Sequence, residues 1–129
     1  MGPVILFVED DDVFRRIVAR ALRAHGFAVR EAPSSEAAVQ ALEQGLCPDL
    51  VLLDLNLPGR TGWDLLRGAW LAAAGAPPVV AVSATAPRSR WMEEFQLAGY
   101  LPKPFPLETL ISCVERLTRP AASQVGVGG

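Results

Sequence analysis

Three short apolar runs constrain this chain more than any other feature: Val4–Val8, Leu50–Leu53 and Val79–Val82. Each is continuous rather than alternating, and each is bounded by charged residues or turn formers. That pattern marks a strand buried on both faces, as in a parallel sheet covered by helices. Between the runs the period changes. Phe14, Ile17, Val18, Ala21 and Leu22 recur at helical spacing, with Asp11 and Asp12 suited to the N-terminal turn and Gly26 after His25 to the stop. Phe27–Arg30 reads as a short second strand, edge-like because charge enters at Arg30 and Glu31. Ser34 and Ser35 after Pro33 open a second helix with Ala38, Val39, Leu42 and Leu46 inward and Gly45 near its end. Thr61-Gly-Trp-Asp64 has the form of a capping box and opens a third helix through Leu65, Leu66, Ala69 and Trp70, closed by Gly75, Pro77 and Pro78. Pro87 fits the first turn of a short fourth helix carrying Trp91, Met92 and Phe95. Gly99–Leu101 is a fifth strand, and Leu107, Leu110, Ile111, Val114 and Leu117 define the last helix.

The order is strand–helix repeated five times. Right-handed crossovers turn it into a doubly wound α/β fold, a parallel sheet with helices on both faces. A chain of 129 residues, half of them hydrophobic, supports one such core. The domain is expected over residues 1–119. Residues 120–129 are Ala-, Ser- and Gly-rich and read as a flexible tail or linker, either a true terminus or the start of a connection to something further. The net charge of −2 leaves no positive stripe for a phosphate backbone, which argues against direct nucleic-acid binding. Cys47 and Cys113 stand apart from any His/Cys cluster and read as reduced structural thiols. Neither a signal peptide nor a membrane-length apolar segment is evident, so a soluble cytoplasmic protein is expected.

In a doubly wound sheet the carboxyl ends of the strands share one rim, where such folds bind ligands. Glu9 and Asp10 follow strand one, Asp54 ends strand three, Ser83 follows strand four and Lys103 follows strand five. Each has a plain alternative: a helix cap for Glu9, Asp10 or Ser83, a strand-end cap for Asp54, a solvated loop for Lys103. Their convergence favours one site over five coincidences. Clustered carboxylates repel by about 4 kcal/mol per pair at a few Å and an effective dielectric near 20, so they call for a cation. Hard oxygen ligands select Mg²⁺. Beside a metal, Asp54 could attack phosphorus and become an aspartyl phosphate, with Lys103 and the Ser83 hydroxyl on other phosphoryl oxygens. Small Ala84 leaves room for that group. A cis Lys103–Pro104 bond, accessible to X–Pro, would aim the lysine inward.

At these residues the chain resembles the receiver domains of two-component response regulators. The resemblance runs from about Val4 to Leu117. It rests on Val8-Glu9-Asp10, on Asp54 followed by Asn56, Leu57, Pro58 and Gly62, on Ser83-Ala84, and on Tyr100 with Lys103-Pro104-Phe105. It implies a flavodoxin-like (βα)5 fold with strand order 2-1-3-4-5. It implies Asp54 as phosphoacceptor, Asp10 as a direct Mg²⁺ ligand with Glu9 acting through water, and the Asn56 backbone carbonyl as a further ligand. Ser83 takes the place of the switch hydroxyl, Tyr100 of the aromatic that swings with it, and Lys103 of the family's lysine. The implied donor is a sensor histidine kinase or phosphotransfer protein. The implied output is a shift of the face built from the fourth helix, fifth strand and fifth helix, read by a downstream effector, with dimerisation left open.

Two departures bear on that output. The span from Ser83 to Tyr100 is short for the family, and the lead-in to Tyr100 is reduced to Leu97-Ala-Gly. A short or displaced fourth helix is expected. On that helix, Trp91 reads first as a core partner of Phe95 and alternatively as an anchor for a partner or second protomer. Two other function classes stay open. A receiver-like module could bind a partner without phosphorylation. A Mg²⁺-dependent phosphohydrolase using Asp54 would want a second acid where Asn56 stands.

Overall fold

The computed structural model describes residues 2–56, 68, 75–84 and 89–119, apart from the Trp91 side chain. Five strands form one parallel sheet: β1 (Val4–Val8), β2 (Ala28–Ala32), β3 (Leu50–Asp54), β4 (Val79–Ser83) and β5 (Gly99–Pro102). The order across the sheet is β2-β1-β3-β4-β5, as the family resemblance implies. Four described helices accompany it: α1 (Asp12–Ala24), α2 (Ser35–Glu43), α3 (Ser89–Glu94) and α4 (Leu107–Thr118). The expected helix over residues 61–70, the Pro87 turn and the expected tail 120–129 lie outside the described residues.

Alternation along the strands divides the interior in two. Ile5, Phe7, Leu50, Leu52, Val80 and Val82 pack with Val18 and Leu22 of α1 and with Leu110, Ile111 and Val114 of α4. Leu6, Val8, Val51, Leu53, Val79 and Ala81 pack with Ala38 and Leu42 of α2 on the other face, and Phe95, Leu97 and Tyr100 join that cluster partly buried. β3 and β4 are buried along their full length, which explains their unbroken apolar runs. The second strand extends to Ala32, beyond the expected Arg30. It tolerates charge because it is an edge strand, and because Glu31 there takes Arg15 and Arg23 from α1, each at 3.2 Å.

Two residues placed inward by spacing alone turn out otherwise. Ile17 is 52% exposed and Leu107 is 38% exposed. The sheet covers only part of each helix's apolar stripe, so the flanks of α1 and the start of α4 share an open groove with Arg16 and Arg20.

Three of the described helices, α1, α2 and α3, end by one device. Gly26 and Gly45 adopt positive φ after α1 and α2, with Phe27 and Leu46 N–H groups bonded back six residues to Leu22 and Ala41 carbonyls, counting both ends. α3 ends the same way, its Leu97 N–H donating to Met92 O, but with Gln96 at φ 52°. The described part of this helix is six residues, Ser89–Glu94; the residues before it, 85–88, lie outside the described ones.

Candidate functional site

The strand ends deliver their polar residues to one rim as anticipated. Glu9 and Asp54 are buried, Asp10 is exposed, and one carboxylate oxygen from each lies within 4.8 Å of the others. Lys103, brought in by the loop after β5, donates to Glu9 Oε1 at 2.6 Å and to Asp54 Oδ2 at 3.2 Å. The Lys103–Pro104 peptide is cis. Phe14 lies under the ammonium, its ring centroid 5.1 Å from Nζ, and packs edge-on against Phe105 and Phe7. An apolar floor thus holds the lysine stem while its charge reaches the acids.

Each acid is oriented by further bonds. Glu9 Oε2 accepts from the Asp11 N–H at 3.1 Å, and Asp54 Oδ1 accepts from the Asn56 N–H at 2.9 Å. Burial pushes the Glu9 carboxyl up to about 7 from its ordinary 4.5, and the charge on Asp54 adds to that rise. The Lys103 bond, the Asp11 N–H and the ammonium charge pull the other way. Burial also works against charge on Lys103, but the Glu9 and Asp54 carboxylates outweigh it and leave the ammonium above its ordinary 10.5. Three carboxylates presenting hard oxygens at this spacing can hold a divalent cation.

Ser83 and Tyr100 occupy the neighbouring side. Asp54 pairs with Val82 in the β3–β4 register, which sets Ser83 one step beyond it on the rim. The buried Ser83 hydroxyl accepts from Asn56 Nδ2 at 2.9 Å. The Ser83 carbonyl accepts twice, from the Lys103 N–H at 3.0 Å and from the Tyr100 hydroxyl at 3.1 Å. The rim therefore brings together Glu9, Asp10, Asp54, Asn56, Ser83 and Lys103, with Tyr100 tied to it through the Ser83 backbone.

Arg15 escaped the sequence reading. It is buried on α1, where it donates to the Glu9 carbonyl at 2.8 Å and bonds Asp12 at 2.7 Å and Glu31 at 3.2 Å. It clamps the loop that carries Glu9 and Asp10 between helix and edge strand. The available signal was its position three residues before Val18 on the inward face of the helix. The Asn56 side chain carries no comparable signal in the sequence, where the resemblance implies a role only for its carbonyl.

With the five-stranded rim and its acid–lysine cluster established, comparison with known proteins agrees. Residues 5–115 match the family described as response regulator receiver domain, and the chain belongs to that family. It is 36% identical over 117 residues to the chemotaxis protein CheY of Pseudomonas aeruginosa, covering 88% of this chain and 94% of that one. It is 35% identical over 126 residues to the positive alginate biosynthesis regulatory protein of the same organism, covering 94% of this chain and 49% of that protein. The chain thus spans nearly all of the first relative and about half of the second. Among solved structures it is similar to the non-phosphorylated HemR receiver domain from Leptospira biflexa, with TM-score 0.81 and 29% identity over 93% of this chain and 97% of that one. It is similar also to the receiver domain of the hybrid histidine kinase CckA, with TM-score 0.73 and 36% identity over 90% and 99%.

Proposed function

We propose that this receiver domain is a phosphoacceptor switch in which Asp54 takes a phosphoryl group from a phosphohistidine of a sensor histidine kinase or phosphotransfer protein. The observation that carries the reading is the Glu9–Lys103–Asp54 arrangement, a buried carboxylate flanked by an ammonium and further acids at the open rim. A carboxylate oxygen of Asp54 forms the new P–O bond as the P–N bond of the donor breaks. The electron pair returns to the imidazole nitrogen, which takes up a proton from solvent. Glu9, Asp10, Asp54 and the Asn56 carbonyl would hold Mg²⁺, which when bound neutralises phosphoryl charge. Lys103 offsets further charge, and Ser83 supplies a hydroxyl to the modified group. Tyr100, joined to the Ser83 carbonyl, carries the change toward α3, β5 and α4 and so to an effector protein or domain. The open groove between α1 and the start of α4, with the exposed Ile17 and Leu107 in its lining, suits a donor protein that must place its histidine over Asp54. Among the described residues no helix is long and apolar enough to cross a membrane.

Incubation with Mg²⁺ and a small acyl phosphate tests the reading. The expected product is an acid-stable, base-labile adduct one phosphoryl group heavier, formed by the wild-type chain and abolished in Asp54→Asn. An adduct that persists in that variant, or none on the wild type, rejects it.

A further inference from the structure

Asn56 makes two hydrogen bonds with different parts of itself. Its backbone N–H holds Asp54 Oδ1, and its side-chain Nδ2 holds the Ser83 hydroxyl oxygen, both at 2.9 Å. One exposed residue thus ties the end of β3 to a buried hydroxyl at the end of β4. A carboxylate at position 56 would have no proton to donate at neutral pH, and an apolar residue no donor at all.

We propose that the Asn56 side chain is a latch, a positioning residue that holds the Ser83 hydroxyl in its resting place until Asp54 is modified. The inference rests on the phosphoacceptor reading above. A phosphoryl group brings anionic acceptor oxygens, and hydrogen bonds to ionised acceptors are about twice as strong as neutral ones. In the Asn56 bond the Ser83 hydroxyl oxygen is the acceptor, so the competition is one of position. To bring its proton to a phosphoryl oxygen the side chain moves off Asn56 Nδ2, exchanging a neutral bond for a charge-assisted one. The latch therefore opposes the modified state without preventing it. One neutral hydrogen bond is enough to bias such an equilibrium about fivefold.

A double-mutant cycle on the full chain tests this, with Mg²⁺ and beryllofluoride as the acyl-phosphate mimic. Asn56→Leu should tighten apparent beryllofluoride affinity about fivefold when Ser83 is present. In a Ser83→Ala background the same change should have no effect, and Ser83→Thr should restore it. In the metal-free protein, the side-chain amide resonances of Asn56 should move on Ser83→Ala and stay near their original position on Ser83→Thr. Equal effects of Asn56→Leu in both backgrounds, or amide resonances indifferent to Ser83→Ala, overturn the latch while leaving the acceptor reading intact. A wild-type chain that neither binds beryllofluoride nor accepts a phosphoryl group overturns both.

Discussion

Glu9, Asp54 and Lys103 are joined by ionic contacts, a carboxylate pair sharing one ammonium at 2.6 and 3.2 Å. A strand's width away, Asn56, Ser83 and Tyr100 are joined by neutral hydrogen bonds of 2.9 and 3.1 Å. The first group concentrates buried charge that no single member could carry alone. The second contains nothing worth more than about 1.5 kcal/mol per bond. The difference separates two jobs. The acid–lysine side is held firmly in a geometry that a charged ligand can use. The hydroxyl side is held weakly enough for such a ligand to rearrange it.

The largest expected effect comes from removing the ammonium. Lys103→Met leaves Glu9 and Asp54 buried together, and chemical denaturation in EDTA at neutral pH should show a loss of about 2 kcal/mol. The figure lies below that for a fully buried broken pair because Lys103 is partly exposed and Glu9 can take up a proton. If the loss is negligible, the acid side is no more firmly held than its neighbour, and the contrast collapses.

A second test uses pH. Because the folded-state carboxyl of Glu9 is raised to about 7 from 4.5, the folded chain retains a proton that the unfolded chain gives up over that interval. The metal-free protein should therefore lose stability as pH rises from about 4.5 to about 7, by an amount on the order of 2 kcal/mol at this group. Urea midpoints in EDTA across that range should slope downward in the wild type and flatten in Glu9→Gln. An unchanged slope in the variant would remove Glu9 as its source.

The smallest effect belongs to the neutral side. Tyr100→Phe deletes the donor to the Ser83 carbonyl, which keeps the Lys103 N–H as partner. Stability should fall by about 0.5 to 1 kcal/mol, with the phosphoryl adduct still formed on Asp54. A loss as large as that of Lys103→Met would place the two sides on the same footing.

Much of this was legible in the amino-acid order because it is local. The apolar runs at β1, β3 and β4 announce a covered sheet, and a parallel sheet then places Glu9, Asp54, Ser83 and Lys103 on one rim. Features that depend on what a neighbouring element leaves uncovered were not legible. Ile17 carries the spacing of a core residue but lies past the edge of the sheet's cover. Arg15 has the composition of a solvated helix position, yet the Glu9 carbonyl and the Glu31 carboxylate make burial favourable there. The Asn56 side chain finds Ser83 only because the β3–β4 register sets their strand ends side by side. The Trp91 side chain, read first as a core partner of Phe95 and alternatively as an anchor, lies outside the described side chains.

Gln96 adds a consequence for motion. Gly26 and Gly45 enter the left-handed region without a Cβ penalty, whereas Gln96 meets it at a cost of about 1 kcal/mol. Local opening is governed by such small differences, so the end of α3 should unlatch about fivefold more often than an otherwise equal glycine-capped end. The segment it releases, Leu97 and Ala98, leads directly into the strand bearing Tyr100. Amide exchange would register residue 96 as the loose stitch from which the β5 edge begins to breathe.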